Sequence, residues 1–315
     1  MSVLVGVDVG GSKVLAAVVS SGGGVVRTVL ARTPGRLVDP VVVEDVMTDA
    51  VLAVADGETI EAVGVAAAGF VDAAGERVVF APHLPWRDDD LRTRMAGRWG
   101  VPVLLANDAN CTAVAEATYG AAQGDGTSVV VTMGTGIGGA VLVDDRVLVG
   151  RNGMAGEFGH MQVVPDGQPC ECGGRGCWEQ YASGNALVRY ARTQIGLEPS
   201  VLGEACGGDP DRLTGPMVGD AAEDGDLVAR QAFGSVGHWL GVGLANLVAA
   251  LDPHRIVVGG GVSAAGDRLL EPARTSLERS LVAAGHRAVP PVLAARLGPE
   301  AGVVGAAELA RRSMT

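Results

Sequence analysis

The chain has 315 residues, room for two domains of ordinary size, and 48% of them are hydrophobic, which excludes a disordered acidic chain. Its formal charge of −12 excludes a protein that grips nucleic-acid phosphates with a basic surface. Aromatic residues are only 3% while 48 residues are Gly, so tight turns carry much of the design, and the 24 basic residues include a single lysine, Lys13.

Residues 3–9 and 14–19 are β-branched runs joined by Gly10-Gly11, which predicts a glycine hairpin that 25–31 extends to three strands. The spacing predicts a helix over 41–55 after Asp39-Pro40, a strand over 60–68 ending near Gly69, and a helix over 88–98. A strand over 103–106 and a helix over 109–119 follow. The pattern then restarts with a strand over 128–133, the turn Gly134-Thr135-Gly136-Ile137-Gly138-Gly139, and a strand over 140–143. Strand, glycine turn and strand thus occur twice, about 125 residues apart, which predicts a duplicated α/β domain. A long helix over 227–251, a strand over 255–258, Gly259-Gly260-Gly261, a helix over 267–284 and a closing helix over 302–312 complete the second half.

No membrane span is expected, because the best apolar run, 239–251, falls short of the roughly 20 residues a bilayer demands. The N-terminus reads as a strand and not a leader, since Asp8 interrupts its apolar stretch. Cys170, Cys172 and Cys177 lie too close together for a disulfide framework, which points to a metal site in a reducing, cytoplasmic setting.

The turn at 134–139 matches both the dinucleotide-binding and the protein-kinase glycine patterns. A strand follows it where the first needs a helix. No lysine occurs after position 13, so a protein kinase and a Walker loop are both excluded. What survives is a hairpin whose backbone N–H groups can nest an anion. One such turn could be merely tight, but two, with the hydroxyl residues Ser12 and Thr135, point to phosphate. Asp8 enters the first turn, where a carboxylate suits a Mg²⁺ bridge to phosphate or simply caps its own turn. Asn107-Asp108-Ala109-Asn110 stands at a strand–helix junction. One polar residue would cap the helix, and here three crowd the strand end where α/β sheets bind ligands. His160 with Cys170, Cys172 and Cys177 makes a closed tetrahedral Zn²⁺ set, hence a structural ion that orders a glycine-rich loop. Glu157 and Glu179 flank this loop. His83 and Trp86 occupy a loop able to wall a pocket or simply to pack, and Cys111, Cys206, His238, His254 and His286 have no partners in sequence.

Asp8-Val9-Gly10-Gly11-Ser12-Lys13, Asn107–Asn110, Gly134–Gly139, Glu157-x-x-His160 and Cys170-x-Cys172-x4-Cys177-x-Glu179 together resemble the ROK family of repressors, open reading frames and kinases, over essentially the whole chain. The stretch from Gly153 to Asn185 looks most like the glucose kinases of that family. The resemblance implies an α/β, actin/hexokinase-like ATPase fold of two lobes, each with a mixed sheet: 1–120 with the C-terminal helix 302–315, and 121–301 with a zinc knuckle at 160–177. It implies transfer of the ATP γ-phosphoryl group to the 6-hydroxyl of a hexose, with glucose first and N-acetylmannosamine, fructose or polyphosphate-dependent glucose kinases as alternatives. A sugar-responsive repressor is disfavoured, because the first phosphate strand begins at Val3.

By the same resemblance Asp108 is the general base. Gly69, Asn107, Glu157, His160 and Glu179 join it around the sugar, with His160 shared between zinc and sugar. Gly10, Gly11, Ser12, Lys13, Thr135 and Gly136 bind phosphate, Asp8 the Mg²⁺, and Gly259-Gly260 lie near adenosine. A homodimer or homotetramer is expected, with no nucleic-acid or membrane partner.

Overall fold

The computed structural model describes residues 2–314. In chain order the strands and helices are β1 (Ser2–Val9), β2 (Lys13–Val19), β3 (Val25–Arg32), α1 (Pro40–Ala55), β4 (Thr59–Ala67), β5 (Phe70–Val71), β6 (Val78–Phe80), β7 (Arg87–Asp89), α2 (Leu91–Trp99), β8 (Val103–Asn107), α3 (Asp108–Tyr119), β9 (Thr127–Met133), β10 (Ile137–Val143), β11 (Arg146–Val147), α4 (Glu179–Ala182), α5 (Gly184–Gln194), α6 (Leu202–Ala205), α7 (Gly215–Glu223), α8 (Leu227–Leu251), β12 (Arg255–Gly259), α9 (Asp267–Ser280), β13 (Val292–Ala294) and α10 (Ala301–Ser313).

Two five-stranded sheets share one connectivity: β3-β2-β1-β4-β8 and β11-β10-β9-β12-β13. Each is mixed. In the first, β1 pairs with β2 antiparallel and with β4 parallel; in the second, β10 pairs with β11 antiparallel and β12 with β9 parallel. The duplication legible in the glycine turns is therefore a duplication of sheet topology. The chain divides into two compact units: one holds the described residues up to Gly126, Ala140–Gly156 and the residues from Arg296 onward; the other holds Thr127–Gly139 and Glu157–Ala295.

In the first unit the strand alternation separates two faces. Val5, Val7, Val63 and Val65 join Val43, Met47 and Val51 of α1 and Leu91 and Met95 of α2 in one buried core. Asp39 caps α1, its side chain accepting from the Val41 N–H at 3.0 Å. The residues between those valines, Gly6 and Gly64, meet α10 instead. A Cβ on Gly64 would lie 1.9 Å from the Ala306 carbonyl oxygen, and one on Gly6 as close to that of Val303. Helix and sheet backbones touch there because no side chain intervenes. Gly64→Ala is accordingly expected to lower the unfolding free energy by about 3 kcal/mol through overpacking, read as a fall in the denaturant midpoint.

In the second unit α8 is the central helix, and it changes the membrane expectation. It runs 25 residues and is long and apolar enough to cross a bilayer by length and composition, yet half of its most apolar window is buried in the protein. Its small residues admit neighbours: a Cβ at Gly241 would sit 2.3 Å from the Ala273 oxygen of α9, and one at Gly243 2.0 Å from the Trp178 ring.

Three predicted elements are corrected. The helix expected over 88–98 starts at Leu91, because Asp88 takes φ +50° and β7 pairs with β6. The helix expected to reach residue 284 stops at Ser280, and Ala283 adopts φ +58°. Residues 137–139, read as turn, already belong to β10.

Candidate active site

The first unit gathers Asp8, Gly10–Lys13, Gly69, Asn107 and Asp108. The hairpin turn between β1 and β2 is closed by the Gly10 N–H donating to the Lys13 carbonyl at 2.9 Å, and Thr33 ties it down, donating from Oγ1 to the Gly10 oxygen at 2.7 Å. The N–H groups of Gly11 and Ser12 have no hydrogen-bond partner among the described residues, and both residues are exposed, as is Lys13. Such a pair of free donors is an anion nest. Asp8 is held against α10, where a Cβ on Gly302 would lie 2.9 Å from its Oδ2. Burial pushes the Asp8 carboxyl above the ordinary carboxylate range, and Lys13 partly offsets this. A bound cation would oppose that shift.

Asn107 caps α3: its Oδ1 accepts from the Ala109 and Asn110 N–H groups at 2.9 and 3.1 Å. The same side chain donates from Nδ2 to the Gly69 carbonyl at 3.1 Å and to Asp108 Oδ1 at 3.0 Å. The cap reading holds, and the same side chain orients Asp108, whose Oδ1 also accepts from the Ala109 N–H at 3.0 Å. Beneath them Cys111 is fully buried, and its thiol is pushed well up by burial and then by the Asp8 and Asp108 carboxylates. The two carboxylates therefore share one end of the sheet.

The second unit gathers Thr135, Gly136, Glu157, His160, Glu179, the three cysteines, Gly259 and Gly260. Its glycine turn is closed by the Gly134 N–H donating to the Gly136 oxygen at 3.0 Å, and it leaves the N–H groups of Thr135 and Gly136 without partners among the described residues. The start of α5 docks on it: the Gly184 N–H donates to the Gly134 oxygen at 2.8 Å, and Ser183 caps the helix through Ala186 N–H at 3.2 Å.

Glu179 stands between this turn and the knuckle. A Cβ on Gly136 would lie 2.4 Å from its Oε2, and the Ile137 N–H approaches the same oxygen at 3.4 Å. Its Oε1 lies 3.1 Å from Cys170 Sγ. The ligand atoms of His160, Cys170, Cys172 and Cys177 lie within 4.8 Å of one another. Cys172 and Cys177 Sγ are 3.6 Å apart, and Cys170 Sγ is 3.7 Å from His160 Nδ1. Tetrahedral ligands about 2.3 Å from zinc stand at about these separations, so the four residues fit Zn²⁺ with no open position. Gly176 makes the wrap possible: it adopts φ +73°, and a Cβ would strike the Val164 oxygen at 1.7 Å. Trp178 fastens the knuckle to α8, donating from Nε1 to the Trp239 carbonyl at 2.7 Å. With Nδ1 toward the thiols, His160 turns Nε2 toward Glu157, 3.9 Å from its Oε2. Burial, with the nearby Glu179, raises the Glu157 carboxyl, and His160 opposes the shift.

A cavity of about 550 Å³ opens beside Gly134 and Thr135, between the start of α5, α7 and the turn after β12. At that turn its wall is Gly261, Val262, Ala264 and Ala265. Gly260 instead packs under β9, where its φ of +86° brings it against the Met133 backbone. Asn185, Pro216, Glu223, Phe233 and Arg268 also line the cavity and were not found from sequence. They come from four separate helices and carry no local motif. The Ser183 cap was the one signal available.

The ROK family model matches residues 4–313. The chain is 42% identical to a glucokinase of Streptomyces coelicolor over 99% of its own length and 98% of that protein's. It is 34% identical to a glucokinase of Thermotoga maritima, covering 97% and 96%. It superposes with a TM-score of 0.91, at 43% identity and 98% and 99% coverage, on a ROK glucokinase of Streptomyces griseus in complex with glucose and AMPPNP.

Proposed function

Because the chain belongs to the ROK family, we propose that it is an ATP-dependent glucokinase, transferring the γ-phosphoryl group of ATP to the 6-hydroxyl of glucose. The two mixed sheets of like order are those of the actin/hexokinase-like fold. The observation that carries the reading is the full-length likeness to an enzyme holding glucose and an ATP analogue, in a chain that also presents two turns with free N–H donors.

The geometry supports the residue roles that the family resemblance implies. Phosphoryl transfer has a loose transition state, so the protein positions groups and offsets charge. Gly11, Ser12, Thr135 and Gly136 donate backbone N–H groups to the phosphates, Lys13 adds an ammonium, and Asp8 would hold the Mg²⁺ that accompanies ATP. The cavity beside Gly134 takes the adenosine, with Gly259-Gly260 shaping the turn that walls it. Asp108 accepts the proton of the 6-hydroxyl as the O6–P bond forms and the bond from Pγ to the β-bridging oxygen breaks, releasing ADP. Asn107 fixes that carboxylate, and Gly69 fixes Asn107. Glu157, His160 and Glu179 receive sugar hydroxyls. His160, Cys170, Cys172 and Cys177 would hold a zinc ion, which would serve as a structural anchor. The −12 charge supports a partner list without nucleic acid, and reduced thiols suit the cytoplasm. A homodimer or homotetramer completes the reading.

A coupled ADP-release assay over glucose, mannose, fructose and N-acetylmannosamine, repeated with polyphosphate as donor, tests it. Glucose with ATP is expected to give the highest kcat/KM. Turnover confined to another sugar, or to polyphosphate, would overturn the assignment.

A further inference from the structure

The loop joining β6 to β7 has no task in the mechanism above, yet it is held with unusual firmness. Leu84 and Trp86 are fully buried. Arg87 donates from Nη1 to three carbonyls of the same loop: Ala81 at 2.6 Å, Leu84 at 2.8 Å and Trp86 at 2.6 Å. Its guanidinium lies 4.3 Å above the Phe80 ring centre. One cation is thus spent on fixing a short loop whose exposed member is His83.

That loop touches both ends of the reaction within the first unit. Toward the phosphate turn, a Cβ on Gly11 would lie 2.5 Å from His83 Cβ and 3.3 Å from Cγ, so the imidazole is rooted on the turn whose Gly11 and Ser12 N–H groups are free. Toward the acceptor, a Cβ on Gly69 would lie 2.8 Å from both Ala81 Cβ and the Phe80 oxygen. Gly69 in turn accepts from Asn107 at 3.1 Å, and Asn107 holds Asp108. His83 therefore stands on a rigid bridge between the residues that bind the phosphate and those that orient the attacking hydroxyl.

We propose that His83 is a ligand of the phosphoryl group in transfer, its ring N–H donating to a non-bridging γ-oxygen. This rests on the kinase reading above. In the loose transition state charge spreads over those equatorial oxygens, and a donor already fixed in place stabilises it without reorganisation. The side chain complements Lys13: the ammonium sits on a flexible stem, whereas the imidazole has a short stem set on a fixed loop.

The test compares the wild-type protein with His83→Ala and with His83→Gln, which keeps an N–H donor. For His83→Ala kcat is expected to fall about tenfold or more while the glucose KM stays within about twofold. Calorimetry should show AMP-PNP binding weakened about tenfold and ADP binding unchanged, since only the former carries the γ-group. His83→Gln should recover most of both losses, with a melting midpoint equal to that of the wild type. Equal weakening of AMP-PNP and ADP, or a kcat within about twofold of wild type, would overturn the proposal. Should the wild type fail to turn over glucose with ATP, the function assignment falls, and the AMP-PNP to ADP ratio still decides His83. If His83→Ala does not fold, His83→Phe, which keeps a ring but has no N–H donor, takes its place: a selective loss of AMP-PNP affinity supports the donor role, and AMP-PNP and ADP affinities both within about twofold of wild type overturn it.

Discussion

Asp108→Asn should cut kcat by about 10²–10⁴-fold while leaving the melting midpoint and the zinc content at their wild-type values. The substitution keeps the side-chain shape, and an amide oxygen can still accept from the Ala109 N–H that meets Oδ1 at 3.0 Å. Asn107 supplies cap bonds to both Ala109 and Asn110 and is unchanged, so α3 keeps its cap. In the proposed role, what disappears is the ability to take the proton of the 6-hydroxyl, and with it a negative charge near Cys111. Glucose KM should change little, because the loss is confined to the step in which the proton moves. Steady-state kinetics beside calorimetric unfolding settles the matter. A kcat within about tenfold of wild type would remove Asp108 from the role of base.

Cys172→Ser should lower glucose turnover by about 100-fold or more and bring the zinc measured by elemental analysis close to zero. Cys172 is the exposed member of the set, so the exchange of sulfur for oxygen costs no packing. Its effect runs through the ion. Cys170 Sγ lies 3.1 Å from Glu179 Oε1, and His160 Nδ1 faces the same sulfur. Without zinc the knuckle keeps its backbone bonds and the Trp178 anchor on α8 but no ion joining His160 to the three cysteines, and three residues assigned to sugar hydroxyls, Glu157, His160 and Glu179, lose their common frame. Because Glu179 also touches the Gly136 turn, the ATP KM should rise as well. Cys206→Ser is the control: that thiol is buried apart from the knuckle, bonded to the Gly203 carbonyl at 3.4 Å, and its loss should spare zinc and turnover alike. Full activity in a zinc-free Cys172→Ser protein would show that the ion is dispensable for the sugar site.

The motifs that were legible share one property: their chemistry lies in consecutive residues. Gly10-Gly11-Ser12, Gly134-Thr135-Gly136 and Asn107-Asp108 each form a single turn or helix start, so a short stretch dictates both the conformation and the donors it exposes. The knuckle was legible for the same reason, its cysteines spanning eight residues. Elements set by pairing with distant strands were less so. Asp88 belongs to a strand because β6 lies beside it, and local helical spacing could not reveal that.

From sequence alone came the doubled glycine turn, the zinc donor set, the carboxylate at the strand end and the exclusion of lysine-dependent phosphate loops, with Lys13 left beside the first nest. The tertiary structure alone decided the cavity beside Gly134, whose walls come from α5, α7, α8, α9 and the turn after β12. It alone set Gly6 and Gly64 against α10, and His83 against Gly11. Hydrogen-bonding chemistry over a few residues is written in residue order, whereas close approach between backbones depends on where long-range packing brings them, and a glycine in sequence does not name the atom it will meet.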